Sequence, residues 1–374
     1  RSLYQQRLAL VQKELQTRDL SSLLLFNPEN IYWLTGYQTI GYFTFQTLLV
    51  GADGLPEIVG RIVNRDLALA HDTIGDFIAV HDTDDPMDIL SSRLVSTIPG
   101  GSTIGLETTA TNFSIADYQR LLGKVNFRMA PCDGLIEPHR IIKSDEEIKR
   151  LQHAARCAED GLSAAINAIA PGKTENDIAA AMFHGAISRG SEYLGHPPLV
   201  VAGETTSLCF AMWRRREIRS GDVVLLESAG CIDRYHSILS RPVVVGKPTR
   251  SHLETAGALQ GVLESAIESI KPGMTSGEVD RACRKVVETK GLGDYFRHRS
   301  AYGIGIGFPP NWSEGHIYAI RPDDSLVLAE NMTFHVIPTL FLDGFGMCFS
   351  DSIRVTSDGC ELLTNFERKL FIVD

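Results

Sequence analysis

The chain has 374 residues, 44% hydrophobic and 22% charged, a globular composition whose length suits two domains better than one core. A net charge of −10 repels phosphate backbones and anionic lipid, so nucleic acid and membranes are not expected partners, and no run approaches the roughly 18 apolar residues of a membrane span. The seven scattered cysteines (Cys132, Cys157, Cys209, Cys231, Cys283, Cys348 and Cys360) include no C-x-x-C pair, which argues against a zinc ribbon or disulfide framework and for a reducing, cytoplasmic setting.

Arg1 to Leu20 mixes charge with spaced Leu and Val and reads as an amphipathic helix rather than a signal peptide. Ser22 to Phe26 is a short buried strand, and Asn27-Pro28-Glu29-Asn30 a turn into a helix. Thr44 to Val50 and Leu55 to Val59 form a hairpin around Asp53-Gly54. Arg65 to Ala70 and Pro86 to Val95 read as helices, and Ser102 to Leu106 as a strand. Ile136 to Ser144 is the expected boundary, giving domains 1–136 and 137–374. Beyond it, Asp145 to Ala168 has helical spacing and an acidic first turn that suits the helix dipole. Arg214-Arg215-Arg216 is either a solvated loop or a clamp for a substrate carboxylate.

Two segments about a hundred residues apart share one pattern. Ile169 to Gly190 and Ile270 to Gly291 each run from a helix end through Pro-Gly and Thr into an amphipathic helix that ends in Gly. Each follows a long helix (Glu146 to Ile169, Leu253 to Ile270) and precedes strands. This is an internal α-α-β repeat with a period too long for a solenoid. It predicts a pseudo-twofold domain with a curved sheet, helix pairs outside it, and a site on the inner sheet face.

These residues carry a resemblance. Asn27-Pro28-Glu29-Asn30-Ile31-Tyr32-Trp33-Leu34-Thr35-Gly36-Tyr37, Arg140-Ile141-Ile142-Lys143-Ser144, Pro171-Gly172, Gly221-Asp222-Val223-Val224-Leu225-Leu226 and Met332-Thr333-Phe334 are similar, in this order, to landmarks of the creatinase/prolidase/methionine-aminopeptidase superfamily, the pita-bread fold. The resemblance implies an α/β chain with an N-terminal creatinase-type α/β domain and a C-terminal pita-bread domain with a curved antiparallel sheet. The peptidases of that superfamily hold two metals with two Asp, one His and two Glu. The matching positions here are Glu227, Ile238, Tyr302, Ile337 and Ser350. Ile cannot coordinate a metal and Ser is a poor ligand, so neither a metal nor another cofactor is expected. The remaining pattern resembles the metal-free branch of creatinase-like and ectoine hydrolase-like proteins.

The resemblance implies metal-independent C–N bond cleavage in a small amidine, guanidino or cyclic amide substrate that carries a carboxylate. Glu227 ends an apolar strand and is the candidate carboxylate, with an internal salt bridge to Arg241 as its structural alternative. His236 is a candidate acid or base, and Tyr235 must point to the opposite sheet face. His335 shares a face with Ile337, and Tyr302 stands at the former His position. These four, Glu227, His236, His335 and Tyr302, are the expected catalytic residues. His196, Tyr235, Phe210 and Trp213 are expected around the substrate, Phe210 standing where creatinase has its acid/base His. Tyr42, Phe43, Gln46 and Arg61 are expected to close over a partner's pocket in a homodimer, Arg61 as carboxylate anchor. A specialised lyase, dehydratase or rearrangement enzyme and a non-catalytic binding protein remain alternatives.

Overall fold

The computed structural model describes residues 3–374. Its contacts divide the chain into two units, Arg1–Arg140 and Ile141–Asp374. The first is built on a six-stranded mixed sheet, in the order Asp76–Val80, Glu57–Arg61, Gln46–Gly51, Ser22–Leu25, Thr103–Leu106 and Arg128–Pro131. The hairpin forms where Asp53-Gly54 places it, with Leu48 opposite Ile58 and Gly54 in the left-handed region at φ 72°. The flanking strand Asp76–Val80, the helix Ile115–Leu122 and the edge strand Arg128–Pro131 were not legible in the sequence. The edge strand has no fully buried position, so it carries little apolar signal.

One buried carboxylate organises the Asn27-Pro28-Glu29-Asn30 turn. Glu107 accepts hydrogen bonds from the backbone N–H groups of Phe26 (2.6 Å) and Asn27 (2.7 Å) and from Asn30 Nδ2 (2.5 Å). Burial pushes this carboxyl up to about 7, although the three donors pull it down.

The second unit repeats one motif. The helices Asp145–Ala168 and Glu175–Ser188 form one pair, and Arg250–Ser269 and Ser276–Glu288 the other. Both shorter helices begin at the Thr after the Pro-Gly turn. Thr174 with Asp177, and Thr275 with Glu278, make reciprocal capping boxes that satisfy N–H groups left over at the helix starts. A four-stranded sheet runs Phe371–Val373, Tyr235–Val245, Val223–Ile232 and Leu199–Ala202. A five-stranded sheet runs Ala319–Ile320, Ala301–Gly303, Thr333–Val336, Asp351–Val355 and Cys360–Leu362. Isolated bridges, Ser240 to Ser350 and Tyr235 to Ile306, link the two into one curved surface. A short hairpin of Thr339–Phe341 and Gly346–Cys348 adds to its wall. Among the described residues no helix is long and apolar enough to cross a membrane.

The two-residue period of a strand decides which side chains reach the inner face. Val200, Ala202, Val224 and Leu226 pack with Leu162, Ile166, Ile178 and Met182 of the first helix pair. Their neighbours Leu199, Val201, Leu225 and Glu227 therefore face the other way, into a cavity. Burying each such Leu or Val contributes about 1.5–3 kcal/mol, so a one-residue slip that would turn Glu227 toward the helices is strongly disfavoured.

Because each cap satisfies separate backbone donors, Thr174→Ala and Thr275→Ala are each expected to lower the stability of this unit by about 1 kcal/mol. Their effects should add within about 0.5 kcal/mol in the double variant. Denaturant titration of the three variants measures both.

Candidate active site

The inner face of the second unit encloses a cavity of about 360 Å³. Its floor is Leu225 and Glu227, its walls include Tyr302, Trp312, Ile337 and Cys348, and its mouth carries Leu208 and Phe210. Glu227 is 4% exposed and its Oε1 has no hydrogen-bond partner. The salt bridge to Arg241 does not form. Arg241 is drawn instead to Asp351 (2.9 Å), which also pairs with Arg368 (2.7 Å). Left without a cation, the Glu227 carboxyl is pushed up to about 8 by burial alone and holds its proton at neutral pH.

Tyr302 stands on the neighbouring sheet opposite His335 in the strand register. Trp312 Nε1 donates to Tyr302 Oη (3.2 Å), and Tyr302 Oη lies 2.8 Å from His335 Nδ1. The other ring nitrogen, Nε2, lies 2.6 Å from Ser350 Oγ. Burial holds His335 well below its ordinary value, so the ring is neutral and one nitrogen donates while the other accepts. Burial keeps the Tyr302 phenol well above its ordinary value and protonated, and the Glu227 carboxyl adds to this only once it loses its own proton. Trp312, Tyr302, His335 and Ser350 thus form one hydrogen-bonded chain. His335 Nδ1 is 3.9 Å from Glu227 Oε1, but the ring lies behind Tyr302 rather than on the cavity wall.

The other expected residues divide sharply. His196 and Phe210 line the cavity. His236 does not: its Nε2 accepts the Gly195 N–H (2.9 Å), while its Nδ1 is buried without a partner. It supports the wall loop instead of facing substrate. A Cβ at Gly195 would stand 2.2 Å from the Asn311 carbonyl oxygen, so the loops bearing His196 and Trp312 meet only through glycine. Tyr235 points to the helix side, where its hydroxyl donates to Glu147 Oε1 (2.6 Å). Trp213 packs edge-on against Phe183 and leaves the aromatic wall to Trp312. In the first unit, Tyr42 and Phe43 lie on a short 3₁₀ turn, Phe43 being 75% exposed, and Gln46 is buried on its strand. Arg61 is engaged by Asp82 (2.5 Å). In the basic run, Arg216 is paired with Asp222 (2.6 Å).

Sequence reasoning missed His298 and Arg299 on the cavity wall. The available signal was the basic triplet Arg297-His298-Arg299 entering a strand of an acidic chain. His298 Nδ1 is 2.8 Å from the Arg299 carbonyl, and His196 Nδ1 is 2.6 Å from the Pro197 carbonyl. A carbonyl only accepts, so both rings carry a proton on Nδ1, which in a neutral ring leaves Nε2 as an acceptor. Burial lowers His298 further from its ordinary value and favours this neutral form.

The donor set does not fit the two-metal centre that the resemblance implies. Of the five corresponding positions, only Glu227 carries a carboxyl group, and Tyr302 carries a phenol where the family has a His. Ile238 and Ile337 are apolar, and Ser350 is held by His335. Among the described residues no group of three or more His, Cys, Asp or Glu side chains is placed to hold a metal ion.

Comparison with known proteins agrees with the architecture. The metallopeptidase family M24 pattern matches residues 149–357, and the creatinase/prolidase N-terminal domain pattern matches residues 7–142. An uncharacterised hydrolase/peptidase of Sinorhizobium fredii is 31% identical, over 99% of this chain and 97% of its own. The ectoine hydrolase of Halomonas elongata is 29% identical, over 100% and 98%. The crystal structure of a recombinant prolidase from Thermococcus sibiricus superimposes with a TM-score of 0.90 at 23% identity, covering 100% of both chains. The two matched patterns together span nearly the whole chain, which therefore belongs to metallopeptidase family M24 and carries a creatinase/prolidase N-terminal domain.

Proposed function

We propose that this protein hydrolyses a C–N bond in a small cyclic amide, amidine or guanidino compound bearing a carboxylate, without a metal. The observation that carries the reading is the protonated, unpartnered Glu227 on the floor of an otherwise largely apolar cavity. Such a carboxyl is a proton donor at neutral pH, poised for the nitrogen that must leave. His298 Nε2 is the base that takes a proton from water as the water oxygen adds to the substrate carbon. Glu227 then gives its proton to the departing nitrogen, the C–N bond breaks, and the proton on His298 returns to Glu227 through solvent. Tyr302, oriented by Trp312 and His335, donates a hydrogen bond to the oxygen or nitrogen where charge develops. The 29% identity to an ectoine hydrolase supports a non-peptide substrate, and the 31% identity to a hydrolase/peptidase keeps a peptide bond in view.

A non-catalytic binding role is the competing reading. It is favoured by Phe210, 73% exposed at the cavity mouth, at the position where creatinase has its acid/base His. Binding of cyclic amidine or guanidino acids with no turnover would select it.

Glu227→Gln is expected to lower kcat by about 10²-fold or more while keeping the side chain's volume. Wild-type turnover should fall as pH rises through about 8, where the donor proton is lost. A pH–rate profile with no alkaline limb in that region would overturn the donor role. The same proton affects folding. Between the usual carboxylate range and about 8, the folded chain holds it and the unfolded chain does not, so stability falls with rising pH across that window. Glu227→Gln should therefore raise Tm at pH 8 more than at pH 5, as thermal melts at both values will show. Exhaustive dialysis against a chelator should leave turnover unchanged, and stoichiometric transition metal tied to activity would refute metal independence.

A further inference from the structure

Among the described residues the cavity wall contains one acidic side chain, Glu227, and one permanent cation, Arg299. In this acidic chain several guanidinium groups of the same unit have carboxylate partners: Arg241 has Asp351, Arg284 has Asp280, Arg321 has Asp324 and Arg216 has Asp222. Arg299 has none among the described residues. Its guanidinium carbon lies 5.0 Å from the centre of the Tyr302 ring, and Nη1 donates to the Gly315 carbonyl (2.8 Å). These contacts fix the plane of the group without neutralising it. Burial holds its pKa below the ordinary value, and no acidic group nearby except the Tyr302 phenol raises it. A half-buried, oriented, uncompensated guanidinium facing a cavity is a site for an anion, because a planar fork of N–H donors matches a carboxylate.

We propose that Arg299 anchors the substrate's carboxylate and makes the cavity selective for anionic ligands. The proposal rests on the hydrolase reading above for the identity of the substrate, but its geometry stands on the cavity alone. Arg61 and Arg216 are already paired with Asp82 and Asp222, so they are not open to this role in the same way. A carboxylate on Arg299 turns the rest of the molecule along the Tyr302 and Trp312 wall toward Glu227. The acid's charge meets the cation and its leaving nitrogen meets the neutral carboxyl.

The test compares acids with their primary amides, which have the same shape and lack the carboxylate's negative charge. Pyroglutamate and pyroglutamamide (anion and neutral), and 2-methyl-tetrahydropyrimidine-4-carboxylate and its amide (zwitterion and cation), are titrated calorimetrically into the full chain. For at least one pair, wild type should bind the acid about 10- to 100-fold more tightly. Arg299→Gln should reduce that preference to about twofold or less while binding of the amide changes little, and Arg299→Lys should keep part of it. Equal binding of acid and amide by wild type, binding of neither member of either pair, or a full preference retained by Arg299→Gln overturns the anchor. The wild-type comparison decides even if the variants fail to fold. Acid preference without turnover leaves the anchor standing and defeats the hydrolase reading; turnover with no acid preference does the reverse.

Discussion

The site depends on a single electrostatic choice, that Arg241 pairs with Asp351 and leaves Glu227 alone. Arg241 is fully buried and also donates to the Ser240, Ser350, Phe366 and Glu367 carbonyls, so its donors are saturated away from the cavity. A buried guanidinium needs that saturation, because an uncompensated charge in a low-dielectric interior is costly. Glu227 resolves the same constraint in the opposite way. It has no cation and takes up a proton, which turns a strand residue into a neutral acid on the floor of a cavity.

The remaining polar groups extend this logic. Tyr302 and His335 are buried and neutral, and each is hydrogen-bonded in a chain from Trp312 to Ser350. Such a chain costs little to bury because its members satisfy one another. It holds the phenol in one place without adding charge beside Glu227. Arg234, stacked on Tyr193 at 3.9 Å and Phe308 at 4.8 Å, donates to the Tyr193 and Gly307 carbonyls. With His236 beneath Gly195, it ties together the loops that carry His196 and Trp312. The turn at Asp233 and Arg234, both with left-handed φ, closes the hairpin in which Ile232 pairs with Tyr235.

The sequence was informative wherever a local rule applied. The apolar run Val223 to Leu226 marked a buried strand that ends in the carboxylate Glu227. Thr after Pro-Gly marked two helix starts, and Asp53-Gly54 marked a hairpin. The order of short motifs pointed to the family and so to both domains. What it misjudged was depth and partnership. His236 and Glu227 share a sheet face, yet one is covered by Gly195 and the other opens on the cavity. Trp213 and Trp312 are both aromatic residues of loops, and only the second reaches the wall.

By itself, then, the sequence determined the class of fold and the repeat, because these follow from residue type, motif order and short-range periodicity. Tertiary structure decided which carboxylate meets Arg241, which histidine nitrogens are occupied, and that Arg299 faces the cavity without a counter-charge. Those outcomes depend on side chains more than a hundred residues apart competing for the same partner, as Glu227 and Asp351 do for Arg241, and no local pattern records which wins.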